Sequence, residues 1–167
     1  MKNEAKRTTT IERTYEASIE DVWELLTTKE GIESWWGPEG FSVTVLSLDL
    51  RPGGVLRYAM TATGAPQIAF MKQAGMPVST ETSLTYREID PPRRLAYVDH
   101  ADFIPGVAAY DVGTVVELTP TSTGVQLRLI LDAMHDETWT GRAIMGWEGG
   151  LGKLAKLLDR RRGSARR

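Results

Sequence analysis

The apolar positions of residues 138–160 repeat with a helical period. At about 100° per residue, Ala143, Trp147, Leu151, Leu154 and Leu158 fall on one stripe, while Lys153, Lys156, Asp159 and Arg160 fall outside it. This pattern predicts one long amphipathic helix near the end of the chain. The same segment carries Gly141, Gly146, Gly149, Gly150 and Gly152. Each costs about 1 kcal/mol relative to alanine inside a helix, so tertiary packing must hold this one. Gly146 and Gly150 lie on the shoulder of the stripe, where a missing side chain leaves room for a close backbone or for a cavity.

Ahead of that helix the period is mostly two. Residues 9–17 place Ile11, Arg13 and Tyr15 on one face and Thr10, Glu12 and Thr14 on the other, which predicts a first strand. Ser18 is a good N-cap for a helix with Val22, Leu25 and Leu26 on its apolar side, and Asp21 stands in for the acid of a capping box. Residues 29–31 are expected to break this helix, with a second short one over 32–36 and a stop at Gly37-Pro38. Phe41, Val43 and Val45 share a face, then Leu46, Leu48 and Leu50 take over the alternation. That change of parity predicts a bulge near residues 45–47. Pro52-Gly53-Gly54 is a turn, and residues 55–63 form a strand with Leu56, Tyr58 and Met60 on one face. Residues 64–77 are less regular, with a short helix expected around 67–73. Strands follow over 79–90, 94–103, 110–119 and 124–134, the last with Val125, Leu127, Leu129 and Leu131 on one face.

The order is strand, two short helices, about six further antiparallel strands and a long helix: an α+β fold. The lone first strand must pair with later strands, since it cannot satisfy its own backbone groups. A curved sheet of six or seven strands buries the stripe of the C-terminal helix in its concave face. With 167 residues, no internal repeat and no interior linker, one domain over residues 1–167 is expected, with residues 1–7 and 161–167 fraying.

Composition narrows the function classes. Hydrophobic residues make up 41% and charged residues 25%, as in ordinary globular proteins, and the net charge is −2. No overall basic field recruits nucleic acid. Cysteine is absent, which excludes disulfides, thiolate metal sites and a cysteine nucleophile and fits a reducing cytoplasm. The opening residues hold no apolar core of a secretory signal, and no apolar run approaches a membrane span, so a cytoplasmic location is expected.

The set of motifs resembles a known family. Residues 15–23, Trp35-Trp36-Gly37-Pro38, Pro52-Gly53-Gly54 leading into Arg57-Tyr58-Ala59-Met60, the turn over residues 89–95, and Gly146-Trp147-Glu148 before the leucine-rich helix end all match. In order and spacing they resemble the helix-grip fold of the START and birch-pollen-allergen superfamily (SRPBCC). Within it they are similar to bacterial proteins related to the C-terminal domain of the activator of Hsp90 ATPase. The resemblance implies a deep cavity between the sheet and the C-terminal helix. Residues 64–77 are longer than a plain hairpin connection, and a lid over one mouth of that cavity is expected of them. The eukaryotic co-chaperone carries a further N-terminal domain for which this sequence has no counterpart, so chaperone stimulation does not transfer with the family name.

Candidate chemistry is sparse. His100 and His135 are the two histidines; His100 with Asp99 and Asp102, or His135 with Asp132 and Asp136, could supply only part of a zinc-ligand set, and no metal is expected. Asp99 and His100 are adjacent on a predicted strand, so both side chains cannot face inward. If the face of Leu95 and Tyr97 is concave, Asp99 is a buried carboxyl group that needs a partner or a raised pKa. Asp99 and His100 are therefore the catalytic candidates. The run from Gly146 to Gly152 lies inside a helix and is not followed by a Lys-Ser/Thr pair, so it is not a phosphate loop. The candidate ligand contacts are Trp35, Trp36, Tyr58, Met60, Phe70, Met71, Tyr86, Tyr97, Tyr110, Met145, Gly146 and Trp147. Each of these, taken singly, is also an ordinary core residue.

The leading expectation is a binding protein for a small hydrophobic or aromatic molecule, without catalysis, cofactor or metal. The second is an enzyme similar to the polyketide cyclases and dehydratases of the superfamily, with a pocket acid or base. The third is a module that contacts a chaperone or another protein. A homodimer is left open, and neither nucleic acid nor a membrane span is expected.

Overall fold

A computed structural model describes residues 7–101 and 106–165. The elements run β1 (Thr8–Tyr15), α1 (Ile19–Thr27), α2 (Lys29–Trp35), β2 (Phe41–Leu48), β3 (Val55–Ala62), α3 (Ala65–Gln73), β4 (Ser79–Asp90), β5 (Arg94–Ala101), β6 (Tyr110–Pro120), β7 (Val125–Asp132) and α4 (Glu137–Ala165). The strands form one antiparallel sheet in the order β1-β7-β6-β5-β4-β3-β2. β1 solves its backbone problem on β7, in register from Thr8↔Asp132 to Tyr15↔Val125. β5 is the central strand, so its inward side chains form the middle of the concave floor.

The inward face of the sheet is apolar where it meets α4. Leu56, Leu84, Leu95, Val116, Leu127 and Leu129 are buried with Leu151, Leu154 and Leu158 in one core, closed on its other side by Val22, Leu25 and Leu26 of α1. This is the helix-grip arrangement. The anchored half of α4 is also tied to β1, where the Tyr15 hydroxyl donates to the Leu151 carbonyl at 3.3 Å. Burial pushes the Tyr15 phenol up to about 12. Arg13, on the same face as Tyr15, remains exposed in an open cleft between β1 and α4.

Local chemistry sets the ends of the elements. The Ser18 hydroxyl accepts from the Asp21 amide at 3.1 Å and starts α1. The break between α1 and α2 differs from the expected one at residues 29–31. It falls at Thr28, whose side chain caps α2 by accepting from the Gly31 amide at 3.0 Å. Residues 29–31 thus lie inside α2. Gly31 packs on α1 so closely that a Cβ would stand 2.7 Å from the Leu25 Cα, which explains that glycine by contact rather than by helix breaking. The β2 register shifts between Val45 and Ser47, at the predicted bulge. Glu33 of α2 accepts from the Val45 amide there at 2.9 Å, so a carboxylate takes up a donor of the edge strand.

β5 reaches Ala101. Its expected continuation to residue 103, and Pro105, lie outside the described residues, as do tail residues 1–6 and 166–167. α4 runs beyond the expected residue 160 to Ala165, with Arg162 paired to Glu16 and to Asp159. Among the described residues, no helix is long and apolar enough to cross a membrane.

Candidate functional site

A cavity of about 840 Å³ opens between the sheet and the N-terminal half of α4. Its floor comes from β3 to β7, through Tyr58, Met60, Thr80, Thr82, Asp99, Val112, Thr114 and Leu131. Its sides come from the α2 end with Trp35 and Trp36, from α3 with Phe70 and Met71, and from α4 with Trp139, Arg142, Ala143, Met145, Gly146 and Trp147.

The glycines of α4 divide between two tasks. A Cβ on Gly150 would stand 3.4 Å from the Gly37 carbonyl oxygen and 3.8 Å from the Trp35 ring, and one on Gly149 would stand 3.3 Å from the Glu39 amide nitrogen. These two let the helix backbone approach the loop after α2. A Cβ on Gly146 would meet only Pro38 Cβ, at 3.9 Å, so Gly146 leaves open space. Lys153 fixes the same loop by donating to the Gly37 carbonyl at 3.2 Å and the Phe41 carbonyl at 3.3 Å, and burial lowers its pKa.

One wall is a cluster of rings. Trp36 stands 5.3 Å from Trp35, 5.4 Å from Trp147, 6.1 Å from Tyr97 and 6.4 Å from Tyr58 between ring centroids. The tilted and edge-on geometries are those the ring quadrupoles favour. Trp35 is held from behind, its indole N–H donating to the Leu25 carbonyl at 2.8 Å.

On the central strand of the floor stands the carboxyl group of Asp99. Its carboxylate accepts from the Thr114 hydroxyl at 3.4 Å. Removal from bulk water pushes its pKa up to about 7, opposed by the Thr114 hydrogen bond and by His100. The carboxyl group therefore carries a proton about half the time near neutral pH. Burial raises the phenol pKa of Tyr58, Tyr86 and Tyr97, with the Asp99 charge adding to the rise at Tyr58 and Tyr97. The Tyr97 hydroxyl is buried without a hydrogen-bond partner among the described residues, although Thr114 lies directly across the ladder. The Thr114 hydroxyl is directed to Asp99 instead.

Asp99 and His100 diverge. His100 contributes its strand position to the cavity edge, but its ring is on the convex face, where Nδ1 lies 2.7 Å from Asp111 and Nε2 lies 3.0 Å from Thr85. His135 is far along the rim, 2.8 Å from the Tyr110 hydroxyl through Nδ1. Among the described residues no three histidine, aspartate or glutamate side chains gather as a metal-ligand set.

Of the sequence candidates, Trp35, Trp36, Tyr58, Met60, Phe70, Met71, Met145, Gly146 and Trp147 border the cavity. Tyr86 and Tyr97 lie behind its wall in the core, 6.4 Å apart in ring centroids, and Tyr110 stands with His135 outside it. Sequence reasoning missed Thr114 and Arg142. Thr114 was detectable, as a hydroxyl in the inward series Val112, Thr114, Val116, Leu118 of an otherwise apolar strand face. Arg142 was not, because its place depends on α3: its guanidinium lies 4.8 Å from the Trp139 ring and 5.5 Å from the Phe70 ring.

Known proteins agree with this architecture. Protein CV1439 from Chromobacterium violaceum is 25% identical, with a TM-score of 0.74 over 90% of this chain and 96% of that one. The AHSA1 protein from Silicibacter pomeroyi is 20% identical, with a TM-score of 0.71 over 92% and 98%. A protein from Arthrobacter aurescens is 18% identical, with a TM-score of 0.73 over 92% and 86%. Among curated proteins, no match is found. The family described as Activator of Hsp90 ATPase homolog 1-like protein matches residues 16–159, which is most of the chain. The chain therefore belongs to the family of Activator of Hsp90 ATPase homolog 1-like proteins, on a helix-grip fold.

Proposed function

We propose that this protein binds a small, mainly hydrophobic or aromatic molecule in the cavity between sheet and α4. The carrying observation is a cavity of about 840 Å³ walled by Trp35, Trp36, Trp147, Tyr58 and methionines, with the Asp99 carboxyl group on the central strand of its floor. A volume of several hundred Å³ with apolar walls and few polar groups is that of a site for a small organic ligand. The methionines Met60, Met71 and Met145 suit ligands of varied outline, since a thioether side chain adapts its shape. Native mass spectrometry of protein purified from its own host tests the reading. A retained mass that a Gly146→Leu variant fails to carry is the expected result. Protein that holds no mass and takes up no hydrophobic probe overturns it.

A second reading is favoured by Asp99. A carboxyl group near pKa 7, facing an apolar cavity, is suited to proton transfer at neutral pH. On a β-hydroxy carbonyl compound, its carboxylate would take the proton next to the carbonyl. The protonated Asp99 would then return that proton to the departing β-hydroxyl group, which leaves as water as the carbon–carbon double bond forms. Loss of water from such a compound with native protein, absent with Asp99→Asn, supports this reading; equal rates in both proteins remove it.

A further inference from the structure

Charge and rings are unevenly placed in the cavity, and this says more about its occupant than volume does. Exposed Met145, Phe70 and Arg142 mark the mouth, whereas Asp99 lies on the central strand of the floor. The Arg142 guanidinium is engaged at that mouth over two rings. The other acidic groups of the lining have partners nearby: Asp132 accepts from the Gly113 amide at 3.0 Å, and Glu39 lies 3.9 Å from Lys156. Asp99 has the Thr114 hydroxyl at 3.4 Å and forms no salt bridge among the described residues. The ring of its neighbour His100 is on the opposite face of the sheet, held by Asp111 and Thr85.

We infer that the occupant of this cavity carries one protonated amine, seated against the Asp99 carboxylate and the ring faces of Trp36, Trp147 and Tyr58, with its apolar body directed to the mouth. The inference rests on the ligand-binding reading and adds the charge of the ligand to it. A cation is attracted by the π faces of tryptophan and tyrosine within about 6 Å. It also supplies the counter-charge that the floor lacks. An anion placed there would face the Asp99 carboxylate, with no cationic side chain beside it among the described residues of the floor. The Arg142 guanidinium, the one such group in the lining among the described residues, lies at the mouth, would repel an amine entering head-last and so favours the orientation with the amine inside.

The titratable and charged groups of the cavity and of the wall behind it are Tyr58 from β3, Tyr86 from β4, Asp99, Tyr97 and His100 from β5, Asp132 from β7, Arg142 from α4 and Glu39 from the loop after α2; β6 supplies the neutral Thr114. Burial keeps the three phenols neutral through the physiological range. An amine held by ionised Asp99 then binds more tightly as pH rises through about 7. A neutral ligand that accepts a hydrogen bond from protonated Asp99 does the opposite.

The test is calorimetric titration of the full chain with naphthylethylamine, naphthylethanol and naphthylacetate, three probes of like size and different charge. At pH 8 the amine is expected to bind at least about tenfold more tightly than the alcohol, with the acetate weakest. From pH 8 to pH 6 the amine is expected to weaken about tenfold while the alcohol does not, because the ionised fraction of Asp99 falls by that factor. Asp99→Asn should bring the amine to the level of the alcohol, and His100→Gln should leave the pH response in place. If the alcohol or acetate binds as tightly as the amine, or if Asp99→Asn keeps the preference, the inference fails and the binding reading stands. If none of the three binds, both fall. The comparison of probes on the unaltered protein needs no variant to fold.

Discussion

Trp36 meets Trp147 edge-on, with ring centroids 5.4 Å apart and planes at 71°. That contact joins the end of α2 to the middle of α4 across the top of the sheet, and the same indole touches Trp35, Tyr58 and Tyr97. Trp36 is 7% exposed, so its ring is both cavity wall and core. Trp36→Ala is expected to cost about 3–5 kcal/mol, read as a lower midpoint in urea unfolding. A loss below about 1 kcal/mol would show that the ring cluster is not what holds α2 to α4.

Gly146 and Gly150 should respond in opposite ways to the same substitution. Gly146→Leu projects into open space and replaces a poor helix former, so stability should hold or rise by up to about 1 kcal/mol while uptake of a hydrophobic probe falls. Gly150→Leu drives a side chain at the Gly37 carbonyl and the Trp35 ring and should lower stability by about 1–3 kcal/mol. Thermal unfolding of the two variants beside probe titration separates these outcomes. Equal destabilisation in both would mean that α4 needs close backbone packing along its whole length.

Asp99 makes stability depend on pH with a defined sign. Its pKa is raised on folding from 3.8 to about 7, so the folded state holds this proton more tightly than the unfolded state. Between those values the folded state binds more protons, and stability contributed by the group is present at low pH and lost as pH rises toward 7. Asp99→Asn removes this term. The variant should therefore gain on the native protein, on the order of 1 kcal/mol per pH unit between about pH 5 and 7, with no further gain above 8. Urea unfolding of both proteins across that range checks it. A constant difference between them would place the carboxyl group in contact with water.

Arg142 bridges α3 and α4 at the cavity mouth through the faces of Phe70 and Trp139. Each partly exposed contact of this kind contributes about 0.5–1 kcal/mol. Arg142→Ala should loosen α3, seen as faster amide exchange over residues 65–73, and speed release of a bound probe about five- to tenfold. Unchanged exchange in α3 would mean that Met71, buried beneath it, holds the helix by itself.

Much of the fold was legible because its signals are local. The cap at Ser18 is read within the four residues from Ser18 to Asp21, and the bulge between Val45 and Ser47 shows as a change of parity within one strand. The inward set Val125, Leu127, Leu129 and Leu131 follows from the period of two, and all four are buried. The break at Thr28 was misplaced because Gly31 reads as a helix breaker, while its actual cause is contact with α1. That contact lies outside any local window.

The sequence by itself determined the order of elements, the anchoring leucines of α4 and the inward parity that places Asp99 with Tyr97 and Leu95. These depend on periodicities that a strand or helix imposes on its own residues. Only the tertiary structure decided which side of each inward residue is filled and which is open. Tyr86 and Tyr97 share a face with cavity residues yet lie behind the wall, because other side chains cover them. Phe70 and Arg142 reach the mouth because α3 is carried there from the end of β3 and meets α4. Asp99 and Thr114 come together because β5 and β6 are in register. Filling or leaving a space is set by residues far apart in the chain converging on one point, and no single segment holds that information.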